Sequence, residues 1–369
     1  MLVKSKWFSK RPTKLFALVL GLFFSLSTYA GGKKGDPIDT QEEISAYIMH
    51  HLQDSHDFTL YSSAKTGKHY GFPLPVILWT SEGLVTFMSS EFQHDDNGEV
   101  IVEKNGLKFA KIHTKIYELN AGEDVVAFDD KHHATNAVRP LDLSITKSVV
   151  GMLLTAVLML LGFVSLARGY KKGPIPTGLA RGLEPLVIYV RDEIARPNIG
   201  DKKYRKFMGF LLTVFFFIWT LNLLGLTPLG FNVTGNIAVT FCLALCTFLI
   251  TQFTANKDYW KHIFWMPGVP VPMKLILIPI ELLGTLTRPF SLMIRLFANM
   301  SAGHIVVMSL ISVMITLKVV MGPVASTGLS FVLSLFLTIL EILIAFLQAF
   351  IFTMLSAVFI GMAVQDHEH

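Results

Sequence analysis

From Ser148 onward the chain is assembled from apolar runs that only a lipid bilayer accommodates, and this constrains the fold more than any motif. Residues 148–167, 207–226 and 236–253 contain no Asp, Glu, Lys or Arg, and a helix of about 20 apolar residues spans a hydrocarbon core. Only 16% of the whole chain is charged against 52% hydrophobic, where a soluble domain carries roughly 25% charge.

Two further apolar segments are too long to be simple spans. Residues 273–321 would measure on the order of 70 Å as one helix and residues 329–364 on the order of 50 Å. A hydrocarbon core is about 30 Å thick, so these segments are either broken or strongly inclined. Pro279 and Pro289 supply kink points. Gly322-Pro323 and Gly328 bracket an expected turn, which makes the pair an antiparallel hairpin.

Charge placement orients the spans. The connection after residue 167 carries Arg168, Lys171, Lys172, Arg181, Arg191, Arg196, Lys202, Lys203, Arg205 and Lys206 against four acidic residues. By the positive-inside rule this loop is cytoplasmic. Residues 227–235 hold no Lys or Arg, whereas the next connection carries Lys257, Lys261 and Lys274. The N-terminal region then lies outside and the C-terminus inside. The net charge of +5 is a topology signal and not a nucleic-acid footprint.

The first 30 residues combine a basic head (Lys4, Lys6, Lys10, Arg11, Lys14), an apolar run from Leu15 to Leu26, and the small residues preceding Ala30. That is the pattern of a signal peptide, with an uncleaved first helix as the alternative. Residues 31–147 are polar and rich in His, including His50, His51, His56, His69, His94, His113, His132 and His133. Gln41 to Gln53 reads as an amphipathic helix. Val76 to Phe87 and Val100 to Tyr117 alternate as strands do, with Asn97-Gly98 and Asn105-Gly106 as turns. No His pair has convincing metal-ligand spacing. Cys242 and Cys246, one turn apart in an apolar run, read as small buried hydrophobes. The fold class expected is an all-α membrane protein of about five mature transmembrane helices with a long inclined C-terminal hairpin. A small extracytoplasmic α+β region precedes it. The domains are 1–30, 31–147 and 148–369.

The hairpin segments carry Glu281, Arg288, Arg295, Asn299, His304, Glu341 and Gln348. One central charge costs roughly 2.5–3.5 kcal/mol on insertion scales, so a cluster of ionisable groups needs a functional reason. Ser291, Arg295 and Asn299 follow at i, i+4, i+8 and share a face. His304, nine residues past Arg295, falls roughly opposite, and Gln348 lies two turns beyond Glu341. Arg288 reads as snorkelling to the cytoplasmic headgroups. Arg remains protonated at any accessible pH and blocks proton leakage, whereas carboxylates and His can relay protons. Each residue also has a structural reading, as an ion-pair partner or a satisfied core group.

The stretch from Ser291 to Met300 (SLMIRLFANM) with Ala302-Gly303-His304 resembles the signature of F-type ATP synthase subunit a. So do Glu341 with Leu347 to Phe352, Thr220 to Pro228, and Gly235 to Thr240. The resemblance covers residues 148–364. It implies that Arg295 faces the carboxylates of a rotating c-ring and separates two offset half-channels. Glu341 and His304 belong to the outer one, Gln348 lies near the arginine, Glu281 lines the cytoplasmic side, and Ser291 and Asn299 are polar lining. Some members carry Glu where this chain has His304 and His where it has Glu341, so the pair is exchanged here. The implied setting is the bacterial inner membrane. The implied partners are the c-ring, subunit b of the peripheral stalk, other synthase subunits and lipid. The resemblance implies no catalytic residue, cofactor, metal or bound nucleotide. The long exported extension departs from many members.

Other functions fit the sequence less well. An ion-coupled secondary transporter is expected to show two related halves, and the sequence has no internal repeat. An intramembrane metalloprotease needs a motif such as His-Glu-x-x-His, and a nucleotide enzyme a Gly-rich phosphate loop; neither occurs. A purely structural scaffold leaves the intramembrane charges without a role.

Overall fold

A computed structural model describes residues 54–62, 69–120, 122–123, 125–129, 134–173, 179–227, 231–265 and 270–365. The expected signal segment, the helix over Gln41–Gln53, and His50, His51, His132 and His133 lie outside the described residues. The chain forms two compact units.

The N-terminal unit is built of antiparallel strands. β1 (Asp57–Ser62) pairs with β2 (His69–Pro73). β3 (Pro75–Thr80) lies between β4 (Gly83–Met88) and β9 (Leu141–Asp142). β5 (Asn97–Lys104), β6 (Leu107–Ile112), β7 (Lys115–Leu119) and β8 (Ala137–Val138) make a four-stranded sheet in sequence order. The alternation on β3 and β4 buries Val76, Leu78, Val85 and Phe87 with Phe92, Val102, Phe109 and Ile116. Full burial of each such side chain is worth roughly 1.5–3 kcal/mol. Asn105-Gly106 forms the expected turn, with φ of 53° and 79°. Asn97-Gly98 does not: it opens β5, where the pairing register shifts between Asn97 and Ile101. Positive φ at Gly98 serves a strand irregularity there.

This unit also holds buried charge. Lys111 Nζ, 2% exposed, lies 2.9 Å from Asp57 Oδ2 and 3.2 Å from Asp96 Oδ1. Ser89 Oγ donates to Asp57 Oδ1 at 2.7 Å. His56 Nε2 lies 2.9 Å from Asp142 Oδ2.

Among the described residues of the second unit, five helices are long and apolar enough to cross a membrane. They are α1 (Lys147–Lys172), α4 (Tyr204–Gly225), α5 (Ile237–Thr254), α7 (Val271–Met321) and α8 (Pro323–Val364). α7 runs 51 residues through Pro279 and Pro289, and α8 runs 42. Both long segments are continuous helices, so neither is broken. The turn is shorter than expected. Gly322 alone, at φ +80°, reverses the chain, Pro323 starts α8, and Gly328 lies inside it. Proline suits the first helical position because its missing N–H has no helical acceptor there.

The basic connection is not an open loop. It folds into α2 (Leu179–Tyr189), a π-helical stretch (Val190–Ala195) and α3 (Arg196–Ile199). Val190, Ile194, Ala195 and Ile199 are buried in one cluster with side chains of α4, α7 and α8. The short α6 (Lys257–Phe264) precedes α7. Small side chains on α8 (Ala345, Ala349, Ser356, Ala357, Ala363) are 0–3% exposed and let neighbouring helices approach where lipid supplies no hydrophobic drive. Gly361 takes this furthest, since a β-carbon there would overlap the Asn198 carbonyl oxygen. Lys203 Nζ and Asn256 Nδ2 both donate to the Val364 carbonyl, at 2.6 and 2.8 Å. Cys242 and Cys246 are exposed, not buried, because they lie on the outer side of α5.

Candidate functional site

The side chains singled out from the sequence sit along α7 and the facing part of α8. On α7, Leu292, Met293, Leu296 and Met300 are buried, which turns the intervening positions outward. Ser291 and Asn299 are exposed and Arg295 is half-buried between them, as the i, i+4, i+8 spacing requires. The same open side presents Phe290, Ile294 and Ile305, each more than 40% exposed. A cation thus stands between two small polar side chains on a side that is otherwise largely apolar. Arg295 makes no ion pair among the described residues.

Glu341 of α8 is half-buried, and its Oε1 sits against α7: a β-carbon at Gly303 would lie 3.3 Å away. His304 is the next residue of α7, and its side chain lies outside the described residues. Gln348, two turns further along α8, is 5% exposed. Its neighbours Ala345, Ala349 and Phe352 pack the same side.

Glu281 lies at the other end of the array. Arg288 Nη2 is 3.9 Å from Glu281 Oε1, seven residues along the same helix. Arg288 is one-quarter exposed and its guanidinium lies 5.5 Å over the Phe359 ring. It does not extend freely as a snorkelling side chain would, because Phe359 and Glu281 hold it back. Glu281 precedes Arg295 by 14 residues and Gly303 follows it by eight. Along the axis of α7 these separations are on the order of 21 Å and 12 Å. The two carboxylates therefore flank the arginine from opposite ends and make no contact with each other.

Sequence reading missed the polar seam on the bundle side. Thr247 and Thr251 of α5 and Ser356 and Thr353 of α8 are all buried, with Thr247 Oγ1 and Ser356 Oγ 3.4 Å apart. Their spacing of four and three residues was the available signal, hidden because threonine and serine are common in membrane helices. At the other end of α4, the fully buried Asn222 accepts a 2.8 Å bond from Thr234. On the charged α2–α3 segment, Asp192 is held down to about 2; the bond from Arg191 is the largest cause, desolvation opposes it, and Arg196 adds a smaller lowering.

Chemically the array offers a cation, two separated carboxylates that flank it along α7, and an open, largely apolar face. Among its described side chains none forms a nucleophile paired with a base.

Residues 149–361 match the family of the ATP synthase A chain. Residues 47–143 match a domain of unknown function, DUF8433. Among the relatives, ATP synthase subunit a of Chloroherpeton thalassium is 43% identical over 254 residues, 67% of this chain and 74% of that protein. That of Chlorobium phaeobacteroides is 46% identical over 236 residues, 62% and 68% of the two chains. That of Myxococcus xanthus is 45% identical over 236 residues, 62% and 76%.

Proposed function

The chain belongs to the ATP synthase A chain family, and from that membership we propose a mechanism for it as the stationary proton-channel subunit of the membrane sector. It is a multi-pass membrane protein of the ATP synthase complex, coupling proton movement to ATP synthesis. The open face of α7 and α8 meets the c-ring. Ring carboxylates pass Arg295, and the fixed guanidinium favours their ionised form and so drives them to release a proton. Arg295 itself never loses its proton, so it closes the direct route between the two sides. Glu341, with His304, exchanges protons with the outside, and Gln348 lies on the approach to the arginine. Glu281 serves the cytoplasmic side, while Ser291 and Asn299 line the stripe beside Arg295. The chain performs no hydrolysis itself; nucleotide chemistry belongs to other subunits, and subunit b holds this one still.

The observation that carries this reading is the placement of Arg295. It stands between two carboxylates on the order of 21 Å and 12 Å away along α7, with no ion pair among the described residues. A structural arginine would be neutralised by one of them. The basic segment after α1, by the positive-inside rule, supports an orientation with the N-terminus outside and the C-terminus in the cytoplasm of a bacterial inner membrane. A secondary transporter is disfavoured, since its two halves would match, and helices of 26, 22, 18, 51 and 42 residues do not pair.

The test is ATP-driven proton pumping in inverted vesicles carrying Arg295→Ala, with assembly checked by co-purification. An assembled complex that no longer pumps supports the reading. Pumping at the normal rate overturns it.

A further inference from the structure

On the bundle side of α7, polar side chains of two helices converge on a small recess. α5 contributes Thr247, Thr251 and Gln252, α7 contributes Thr285 and Arg288, and Phe359 of α8 forms part of the wall. Two atoms of these lining residues are buried without a hydrogen-bond partner among the described residues, the donor Arg288 Nη1 and the acceptor Gln252 Oε1. Leaving such a group unsatisfied costs on the order of 1–3 kcal/mol, and more when it is charged.

The remaining groups decide what can satisfy them. Thr251 Oγ1 donates to the Thr247 carbonyl at 2.8 Å, and Thr285 Oγ1 to the Glu281 carbonyl at 3.0 Å. Each hydroxyl has spent its proton and retains lone pairs. Pro289, which also lines the recess, has no N–H to give the Thr285 carbonyl. The recess therefore combines one cationic donor with a surplus of acceptors. An anion is opposed by that surplus and a metal ion by the guanidinium. Water, small and both donor and acceptor, fits.

We propose that this recess is a water site in which water accepts from Arg288 Nη1 and donates to Gln252 Oε1. Gln252 is then a positioning residue for the Arg288–Glu281 pair. Gln252 is itself anchored, because its Nε2 donates to the Tyr259 hydroxyl of α6 at 3.5 Å. With Nη1 tied through water to α5, Nη2 stays directed at Glu281, 3.9 Å away. The inference rests on the reading of Glu281 as the cytoplasmic-side proton group, and it adds a control on that group from a different helix.

The experiment compares ATP-driven pumping against pH for Gln252→Leu, Gln252→Glu, Glu281→Gln and the double variant Gln252→Leu/Glu281→Gln, in assembled complexes. Gln252→Leu is expected to slow pumping about fivefold and displace its pH profile, and Gln252→Glu to stay within about twofold of wild type. In the Glu281→Gln background the leucine is expected to add less than about twofold, because its target is gone. A wild-type rate and profile for Gln252→Leu, or an equal loss in both backgrounds, overturns the positioning role alone. Glu281→Gln at the wild-type rate overturns the reading of Glu281 and the positioning role with it. Hydration is read separately with Gln252→Cys in a Cys242→Ser/Cys246→Ser chain, treated with a small water-soluble thiol reagent. Reaction supports the water site, and an inert thiol overturns it.

Discussion

Glu341 rests against Gly303 so closely that the absence of a side chain at 303 is what makes room for the carboxylate: a β-carbon there would stand 3.3 Å from Oε1. Gly303→Ala therefore displaces the carboxylate by a few tenths of an ångström without removing any titratable group. Sub-ångström misplacement of a reacting group costs rate, and proton flux is expected to fall about two- to fivefold. Proton pumping by an assembled Gly303→Ala complex measures this, and an unchanged rate would detach Glu341 from its present geometry.

Glu341→Gln keeps the size and removes the exchangeable proton. Flux is expected to fall at least about tenfold while co-purification with the other subunits stays normal. Flux at the wild-type level would remove Glu341 from the path.

Gly361→Ala tests the packing at the end of α8, where a methyl group would overlap the Asn198 carbonyl oxygen. Overpacking of this kind costs about 1–3 kcal/mol. A lowered melting temperature of the purified complex is the expected result, and an unaltered one would mean that the two segments can part.

In the N-terminal unit, Lys111→Met leaves Asp57, 7% exposed, without its nearest cation. Removing one partner of a buried pair costs about 3–5 kcal/mol, which is enough to expose residues 54–143 to limited proteolysis at neutral pH. Resistance equal to wild type would show that Ser89, with His94 Nδ1 3.9 Å from Asp57 Oδ2, suffices for Asp57.

Acid acts on the same unit through Asp142. Burial by itself would raise its pKa, but the bonds from His56 and Ser144 outweigh burial and bring it from 3.8 to about 2. Between those values the unfolded chain binds more protons than the folded one. The stabilisation, on the order of 1–2 kcal/mol for a half-buried group, is thus complete above about pH 4–5 and disappears as pH falls through about 2. Pepsin digestion of the solubilised chain between pH 4 and pH 2 should accelerate as pH falls. Asp142→Asn should flatten that dependence, and an unchanged slope would count against the assignment.

The five spans were legible because a bilayer tolerates little besides uninterrupted apolar helix, and Arg295, Glu281, Glu341 and Gln348 stood out by interrupting it. Continuity through Pro279 and Pro289 was not legible, since neighbouring helices and side chains compensate for a missing N–H and no local pattern records that. The π-helical stretch was hidden by its own charges. Leu183, Leu186, Val187, Val190 and Ile194 recur at helical spacing, but Arg181, Arg191 and Arg196 in and around them read as loop. The Gln252–Arg288 recess lay beyond sequence reading for a different reason: 36 residues separate its two unsatisfied atoms, and only the packing of α5 on α7 brings them to one place. Gly303 was quoted as part of a motif, yet its closeness to Glu341 depends on the register of the hairpin.

The interlock at the end of α8 bears on mechanics as well as packing. A ring turning against the hairpin would exert a sideways drag on α7 and α8, and the subunit can act as a stator only if that drag is resisted. The hairpin has one residue, Gly322, at its far end, which offers little stiffness. At the near end, Gly361 seats on Asn198 and the Val364 carbonyl is gripped by Lys203 and Asn256. The hairpin is in effect a cantilever clamped at the α8 C-terminus, so torque would leave it through the segments that precede α4 and α6.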